Sequence, residues 1–279
     1  MGKLVSIVGV THNPLFARMT DPRHETPDAI RVRNQFATEA AQLDRAKPDV
    51  LLCIGNDHLG QFFLENMPPF LVGKAPVAKG TFPWEKMWGA PDYAASVDVD
   101  LARGIIQRGF DHGVDFAFSD EFVIDHAFTM PLAHLRPQRD LPIVPVFCNV
   151  MAPPIPPARR FYAVGEALRS IIDEYPAETR VAVLCSGHLS VEIGGPRAPC
   201  PDPEFDAWAV RMVGQGDVEQ ALHGLTMERL MTAGNYTAGF LTFVMLMGLA
   251  RGRPATYWEC MDFTNTSLTR IPFFRWDVG

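Results

Sequence analysis

Four histidines stand in short polar segments of the chain, and the residues around them indicate shared chemistry. They are His12, His58, His126 and His188. Apolar runs typical of buried strands end shortly before His12, His58 and His188. Ligands of open α/β sheets bind at the carboxyl ends of strands, so these three imidazoles are expected to lie together. Neutral imidazole binds Fe(II), Zn(II) and related ions and also transfers protons, so the pattern predicts a metal or acid–base site.

Metal binding is the role predicted for His12 and His58, because separate strand ends deliver both; a hydrogen-bonded loop position is the alternative for each. His126 and His188 are predicted to be catalytic. His126 follows an aspartate, an adjacency that can set the tautomer of an imidazole, and His188 follows Ser-Gly, for which a plain turn is the alternative. Asp57 either caps the loop around His58 or supports that histidine, and it is included among the catalytic candidates.

The length fits a single domain, residues 1–279, or one domain with an inserted subdomain, and the composition provides an ample apolar core. Hydrophobic residues make up 47% of the 279 positions. The formal net charge of −7 argues against a nucleic-acid or anionic-membrane partner. The richest apolar stretch, Phe240–Ala250, is too short to span a bilayer, and the N-terminal residues lack the pattern of a secretory signal. The five cysteines are widely spaced, which favours a reducing, cytoplasmic location.

Strand-like and helix-like segments alternate along the chain. Strands are predicted at Lys3–Val10, Val50–Gly55, Asp115–Phe118, Pro142–Phe147, Val181–Cys185 and Ala255–Cys260. Helices are predicted at Ala29–Ala46, Tyr93–Gly109, Arg159–Asp173, Pro203–Gly214, Val218–Leu222, Met227–Ala233 and Thr237–Ala250. Residues 60–92 are predicted to form a long ordered loop with short strands. The alternation predicts an α/β fold, a central sheet with helices on both faces.

Several stretches resemble the class III extradiol ring-cleavage dioxygenases, the superfamily of the protocatechuate 4,5-dioxygenase β subunit. The matching stretches are Thr11–Leu15 (THNPL), Gly55–Phe63 (GNDHLGQFF), Asn66–Gly73 (NMPPFLVG), Val123–Leu132 (VIDHAFTMPL), Pro142–Asn149 (PIVPVFCN) and Gly234-Asn235. The segments around His58 and His126 are specific to that family, and the similarity extends over nearly the whole chain. The branch that cleaves dihydroxyphenylpropionate-type catechols is the most similar.

This resemblance implies a mixed central sheet of the LigB-like type and a mononuclear non-haem Fe(II) site. In the family, two histidines and one glutamate hold the iron, and the histidines correspond to His12 and His58. His126 corresponds to a histidine that handles protons or O2 beside the metal. The implied reaction is extradiol cleavage of a small catechol- or aminophenol-type aromatic with O2. A homo-oligomer, or pairing with a small second subunit, is implied as well.

Two departures from the family pattern concern the metal site. Gly239 stands at the position of the family's glutamate ligand, and Glu228 and Glu259 are the nearest acidic residues on either side. Gly239 would leave a coordination position to water or substrate. Other residues that could supply the missing ligand are Glu192, Glu259, Cys260 and Tyr236. The family also has a histidine where this chain has Val191, so His188, three residues earlier, is a candidate for its relocated equivalent.

The sequence leaves the substrate pocket and the exact reaction open. Phe63, Tyr236 and Gly239 are predicted to contact substrate, and Phe63 belongs to an apolar cluster that could equally be core. The leading prediction is a metal-dependent oxygenase that acts on an aromatic ring. The alternatives are a non-catalytic subunit of such an enzyme, or a metal-assisted hydrolase or lyase with a two-histidine site.

Overall fold

A sheet of eight strands organises the chain and positions the four histidines. The computed structural model describes residues 2–21, 23, 25–176, 178–198, 201–264 and 269–278. Its strands are β1 Lys3–Thr11, β2 Val50–Asn56, β3 Phe70–Gly73, β4 Val77–Gly80, β5 Tyr93–Ser96, β6 Ala117–Ser119, β7 Ile143–Cys148, β8 Arg180–Gly187, β9 Tyr257–Met261 and β10 Ile271–Asp277. The order across the main sheet is β6-β3-β7-β2-β8-β1-β10-β9, and β4 and β5 form a separate pair.

The four central strands β7, β2, β8 and β1 run parallel, so their carboxyl ends lie at one edge of the sheet. Strands β3 and β10 run antiparallel to their inner neighbours, which makes the sheet mixed. The runs of β2 and β7 are buried throughout, as expected for parallel strands that are covered on both faces. In the register of β1 with β8, Thr11 lies opposite Gly187, so the residues that follow both strands emerge together.

Helices cover both faces of the sheet and enclose two apolar cores. They are α1 Pro27–Ala46, α2 Pro83–Lys86, α3 Val99–Gly109, α4 His126–Leu135, α5 Ala158–Glu174, α6 Pro203–Gln215, α7 Val218–Gly224, α8 Met227–Ala233 and α9 Leu241–Leu249. Short 3-10 helices occur at Pro14–Thr20, Phe110–His112 and Thr237–Phe240. One core contains residues of α3, α5 and α9, and the other contains residues of α1 and α4.

The packing of α5 against α9 depends on two glycines. A Cβ atom added to Gly165 would lie 2.1 Å from the carbonyl oxygen of Met245, and one added to Gly248 would lie 2.1 Å from that of Tyr162. Both distances are far inside van der Waals contact. The two helices therefore approach backbone to backbone, and α9 is buried along its whole length.

The predicted α/β fold is confirmed, and most elements lie within a few residues of their predicted positions. One prediction is wrong: Tyr93–Ser96 is strand β5, paired with β4, and the helix begins only at Val99. The Asp98 side chain accepts a hydrogen bond from the Leu101 N–H at 2.9 Å, which fixes that start. Helix α4 and strand β10 were not predicted. Pro131 inside α4 hides the helix from pattern reading.

Helix length bears on the prediction about membranes. Among the residues that the structure describes, no single helix is long and apolar enough to cross a bilayer. Only the pair Met227–Ala233 and Thr237–Leu249, bent by 116° at its break, reaches that length and composition when taken together.

Candidate metal and acid–base centre

The four predicted histidines converge at the carboxyl edge of the parallel strands. The ring centroid of His12 lies 5.1 Å from that of His58, 5.6 Å from that of His126 and 4.1 Å from that of His188. His58 and His126 stack at 4.1 Å. One potential ligand atom from each of His12, His58 and His188 lies within 4.8 Å of the others. The structure thus brings all four imidazoles into one site.

His12 follows β1 and is fully buried. Its Nδ1 lies 2.9 Å from the hydroxyl oxygen of Ser186, the penultimate residue of β8. That hydroxyl donates its own hydrogen to the carbonyl oxygen of Ala127 at 2.6 Å, so it can only accept from His12. The proton of His12 is therefore on Nδ1, and the Nε2 lone pair is free for a cation. Burial, and then the nearby His188, lower the pKa of His12 well below its usual value.

His58 is oriented by Asp125, the residue that caps helix α4. One carboxylate oxygen of Asp125 accepts hydrogen bonds from the His58 backbone N–H at 3.1 Å and from Nδ1 at 2.9 Å. The other accepts from the Ala127 N–H at 2.8 Å. Burial alone would lower the pKa of His58, but the Asp125 charge and hydrogen bond outweigh it and raise that pKa. This arrangement places the proton on Nδ1 and leaves Nε2 available, as for His12.

His126 is the first residue of α4 and is held by Glu85, a carboxylate with no solvent exposure. One oxygen of Glu85 accepts from both the backbone N–H and Nδ1 of His126, at 2.6 Å each. The other accepts from the Phe82 N–H at 2.7 Å. Burial and the neighbouring His58 lower the pKa of His126, and the Glu85 hydrogen bond offsets part of that effect. A neutral His126 with its proton on Nδ1 presents Nε2 as a base.

His188 follows β8 directly and packs against Gly239. A Cβ atom added to Gly239 would lie 3.0 Å from Cδ2 of the His188 ring and 2.6 Å from the amide nitrogen of Asn56. Burial and the charges of His58 and His126 lower the pKa of His188 well below its usual value. That Gly239 leaves a coordination position to water or substrate stays a prediction; the structure places the imidazole of His188 beside this glycine.

Several buried polar atoms at this site have no hydrogen-bond partner in the described part of the chain. They are Nε2 of His12, Nδ1 of His188 and both amide atoms of Asn56. An unsatisfied buried polar group costs about 1–3 kcal/mol, so such a cluster is rare in a folded protein unless a ligand completes it. Imidazole nitrogens with free lone pairs suit a borderline divalent metal, and His12, His58 and His188 are close enough to share one ion.

A cavity of about 560 Å³ opens above the histidines. Its lining includes His58, His126 and His188, together with Trp84 and Trp88. The indole rings of Trp84 and Trp88 lie 6.2 and 6.0 Å from the ring of His126. The other lining residues are Asn13, Pro14, Leu15, Leu59, Met151, Val191, Glu192, Ile193, Gly194, Ala198, Tyr236 and Thr269. The walls are therefore mainly apolar and aromatic.

Of the predicted replacement ligands, Tyr236 lines the cavity. Glu192, Glu259 and Cys260 do not belong to the groups of close ligand atoms that the described part of the chain forms with the histidines. Glu192 lines the cavity, but its carboxylate accepts a hydrogen bond from Arg197. Glu259 lies on the edge strand β9, and its carboxylate accepts hydrogen bonds from the side chains of Arg31 and Tyr257. Strand β10 separates β9 from β1, which places Glu259 roughly 10 Å across the sheet from the strand of His12.

Three further predicted residues have other placements. Cys260, also on β9, packs against an apolar core. Phe63 is 60% exposed and lies outside the cavity lining, because the loop turns it to solvent; its neighbour Phe62 is the buried member of the pair. The two oxygens of Asp57 accept the backbone N–H groups of Gln61 and Phe62, at 2.7 and 3.0 Å, so Asp57 orders the loop that carries His58. Burial, then the charge of Asp125, raise the pKa of Asp57 to about 6.

Sequence reasoning missed the groups that orient the imidazoles. Glu85 lies 41 residues before His126 in a segment predicted as loop, and Asp125 serves His58, not the adjacent His126. The sequence indicates Ser186 only as part of the turn before His188. A pattern could have flagged Asp125, since Asp before a helix start is a common cap. No sequence signal connects Glu85 with His126, because the contact is made only by the fold.

This chain is similar to known proteins in sequence and in fold. Residues 6–269 match the family model described as "Catalytic LigB subunit of aromatic ring-opening dioxygenase". A Comamonas testosteroni protein named 2,3-dihydroxyphenylpropionate/2,3-dihydroxicinnamic acid 1,2-dioxygenase is 30% identical over 232 residues, which cover 82% of this chain and 68% of that protein. A Rhodococcus protein of the same name is 29% identical over 238 residues, which cover 84% of this chain and 71% of that protein.

Two further similarities concern length and fold. A Photorhabdus laumondii protein of the same name is 29% identical over 203 residues, 72% of this chain but only 61% of that protein. The chain thus spans less than two thirds of this relative's length. The crystal structure of the uncharacterized protein JW3007 from Escherichia coli K12 aligns with a TM-score of 0.62 over 98% of this chain and 99% of that one. Its sequence identity is 14%, so that likeness concerns the fold alone.

Proposed function

We propose a function from the premise that this chain belongs to the family of catalytic LigB subunits of aromatic ring-opening dioxygenases. The proposed reaction is the extradiol cleavage of a catechol- or aminophenol-type ring. The carbon–carbon bond beside the two substituted carbons breaks, and both atoms of one O2 molecule enter the product. The proposed cofactor is Fe(II), held by His12 and His58. The observation that carries this proposal is the convergence of four imidazoles, with unpartnered buried nitrogens, at the floor of an aromatic-lined cavity.

The residues of this chain fit a divalent metal by donor type and by orientation. Ser186 and Asp125 fix the protons of His12 and His58 on Nδ1, so both Nε2 lone pairs are available. Hydrogen bonds of this kind orient metal-binding histidines and raise their basicity. When bound, the ion would supply Lewis acidity and a route for electrons from the aromatic ring to O2.

His126 is the residue assigned to proton transfer. Its Nδ1–H is held by Glu85, which leaves Nε2 as an acceptor, and its lowered pKa keeps the ring neutral near neutral pH. A catechol or aminophenol lying in the cavity beside Trp84 and Trp88 would present its ring hydroxyl to this nitrogen. His126 can accept that proton and return it to the opened product. A well-placed base of this kind contributes about 10²–10⁴-fold to turnover.

The cavity walls indicate the kind of ring that is preferred. Leu15, Leu59, Met151 and Ile193 add apolar surface to the two tryptophans. Among the described residues that line the cavity, Glu192 carries the one carboxylate, and it is already paired with Arg197. Burying a second carboxylate there without a partner would be costly. We therefore propose that uncharged ring substituents are preferred over acidic ones, unlike the acids in the names of the relatives.

The test combines metal content with oxygen consumption. Protein purified anaerobically and loaded with Fe(II) is expected to hold one ion per chain and to consume O2 with alkyl-substituted catechols. His12→Ala and His58→Ala are expected to lose the ion, with the fold retained by circular dichroism. His134→Ala, which removes a histidine that contacts Phe16 and Phe36, is the matched control and should retain it. Full metal occupancy in the His12→Ala/His58→Ala double variant would refute the site, and a preference for acidic catechols would refute the proposed specificity.

A further inference from the structure

The backbone of Gly239 and the ring of His188 occupy adjoining positions at the floor of the cavity. A side chain at residue 239 would begin 3.0 Å from Cδ2 and 3.5 Å from Cβ of His188. The distance to Cδ2 is tighter than a normal contact, the distance to Cβ is an ordinary one, and the Asn56 amide nitrogen lies still closer, at 2.6 Å. The direction from Gly239 into the site is therefore filled by the imidazole that follows β8. Any larger residue at 239 would have to displace His188 or Asn56.

The approach of these two residues is fixed by the fold. The Thr242 hydroxyl lies 2.8 Å from the Ser186 carbonyl oxygen and 3.0 Å from the Gly239 carbonyl oxygen, so it connects β8 to the 3-10 helix Thr237–Phe240. A Cβ atom added to Gly187 would lie 2.5 Å from that hydroxyl and 2.7 Å from the Gly239 carbonyl. Glycine at 187 thus permits the contact that places His188 over Gly239.

We infer that His188 is the third protein ligand of the metal ion, and that Gly239 is glycine because that imidazole needs its space. This inference rests on the proposed function. One ring nitrogen of His188 lies within 4.8 Å of the ligand atoms of both His12 and His58. Its ring is also close to His12, at 4.1 Å between centroids. Nδ1 of His188 and Nε2 of His12 are both buried, and neither has a hydrogen-bond partner in the described part of the chain.

The surroundings of His188 favour coordination over proton transfer. The proton-transfer candidate His126 has a buried carboxylate, Glu85, on its Nδ1 to hold and orient a proton. No hydrogen bond of that kind to the His188 ring occurs among the residues that the structure describes. The His188 ring is close to two metal-binding candidates and lacks a carboxylate partner, so a metal ion is the better partner for its free nitrogen.

Buried carboxylates near the three histidines can balance the positive charge of the ion. Three neutral imidazoles leave the full charge of a divalent ion without an anionic ligand, which is costly in a buried site. Asp125 is one hydrogen bond away from the ligand His58, and Glu85 is bonded to His126, whose ring stacks on that of His58. They supply negative charge close to the ion without binding it. The site can therefore dispense with a carboxylate at residue 239.

The first experiment measures metal affinity without any turnover. Co(II) is titrated into the apoprotein against a chelator, and the visible absorption of the bound ion is recorded. His188→Ala is expected to lower the affinity by more than about 100-fold, since loss of residues that only orient ligands already costs about 10–100-fold. The absorption spectrum of any Co(II) that remains bound should change. Added imidazole is expected to fill the space left by the side chain and restore much of the affinity.

Two further variants test the complementarity of the positions. Gly239→Glu alone is expected to weaken Co(II) binding, because its side chain collides with His188 and Asn56. In the double variant His188→Ala/Gly239→Glu, the carboxylate has room to enter the site and should recover at least 10-fold of the affinity lost by His188→Ala. His188→Gln is tested in parallel, so that the affinity can still be measured if His188→Ala does not fold. His134→Ala is the control for loss of a histidine that is not in the site.

The outcomes separate this inference from the proposed function. Wild-type affinity and an unchanged Co(II) spectrum in His188→Ala and His188→Gln would overturn the ligand assignment, even if turnover fell. Tighter binding by Gly239→Glu alone would overturn it too, because the position would then be open. Absence of Co(II) and Fe(II) binding by the wild-type protein would instead overturn the proposed metal function.

Discussion

Replacing Glu85 by glutamine isolates the contribution of the carboxylate that holds His126. Glu85 accepts three N–H groups: two from His126 at 2.6 Å each, and the Phe82 N–H at 2.7 Å. Glutamine keeps the shape but has one accepting oxygen. If that oxygen faces His126, the amide NH2 group faces the Phe82 N–H, and a buried donor loses its partner. If the amide is turned the other way, both His126 donors lose theirs.

The magnitude follows from these contacts. A hydrogen bond to a charged group contributes about 1.5–3 kcal/mol. If that energy holds His126 in its reactive orientation, its loss lowers turnover by about 10- to 150-fold, at 1.36 kcal/mol per tenfold change in rate. Glu85 also raises the pKa of His126, so Glu85→Gln should lower that pKa. The fraction of neutral His126 then persists to lower pH, and the acid limb of the pH–rate profile should move to lower pH.

The assay is the pH dependence of kcat for oxygen consumption, with metal content measured in the same samples. Glu174→Gln is the matched control, because Glu174 pairs with the ring of His112 at 3.0 Å on the surface, away from the site. It should leave turnover and profile unchanged. Unchanged turnover in Glu85→Gln, or a lower rate with an unmoved acid limb, would refute the assigned role. Loss of metal from Glu85→Gln would show that Glu85 acts on the ion's ligands instead.

Three other substitutions have expected outcomes. Ser186→Ala removes the acceptor for Nδ1–H of His12 and should weaken metal binding by about 10–100-fold in a chelator titration; unchanged affinity would count against the assigned tautomer. Asp125→Asn should have an effect of similar size through His58, and stability measured alongside would separate this from loss of the α4 cap. Gly165→Ala should destabilise the fold by about 1–3 kcal/mol in denaturant titration with metal affinity retained, because its Cβ would meet the Met245 carbonyl oxygen; wild-type stability would contradict the close packing of α5 and α9.

The parts of the fold that could be predicted are those set by local pattern. Apolar runs predicted strands β1, β2, β7 and β8, and the polar residues after them predicted that the site lies at the carboxyl edge of the sheet. The errors occurred where tertiary contacts decide. Residues Tyr93–Ser96 are strand only because β4 lies beside them, and α4 continues through Pro131 although proline cannot donate the helix hydrogen bond.

The candidate site divides in the same way. Local sequence patterns indicate all four histidines: apolar runs end before His12, His58 and His188, and an aspartate precedes His126. Glu85 could not be paired with His126, since 41 residues and a short helix separate them. The ligand role that we propose for His188 also could not be predicted from sequence, because only the fold brings its imidazole beside Gly239. Distances between side chains on separate elements are set only when the sheet register and helix packing are complete.

The most direct test of the central claim is the fate of isotopically labelled O2 in a reaction with an alkyl-substituted catechol. The protein is purified without oxygen, loaded with Fe(II) and mixed with the catechol and the labelled gas. The proposed function predicts a ring-opened product that contains both atoms of one O2 molecule, and no product from His12→Ala. An intact ring after complete metal loading, or a product that carries oxygen from water in place of O2, would contradict the claim that these four histidines serve a ring-opening dioxygenase.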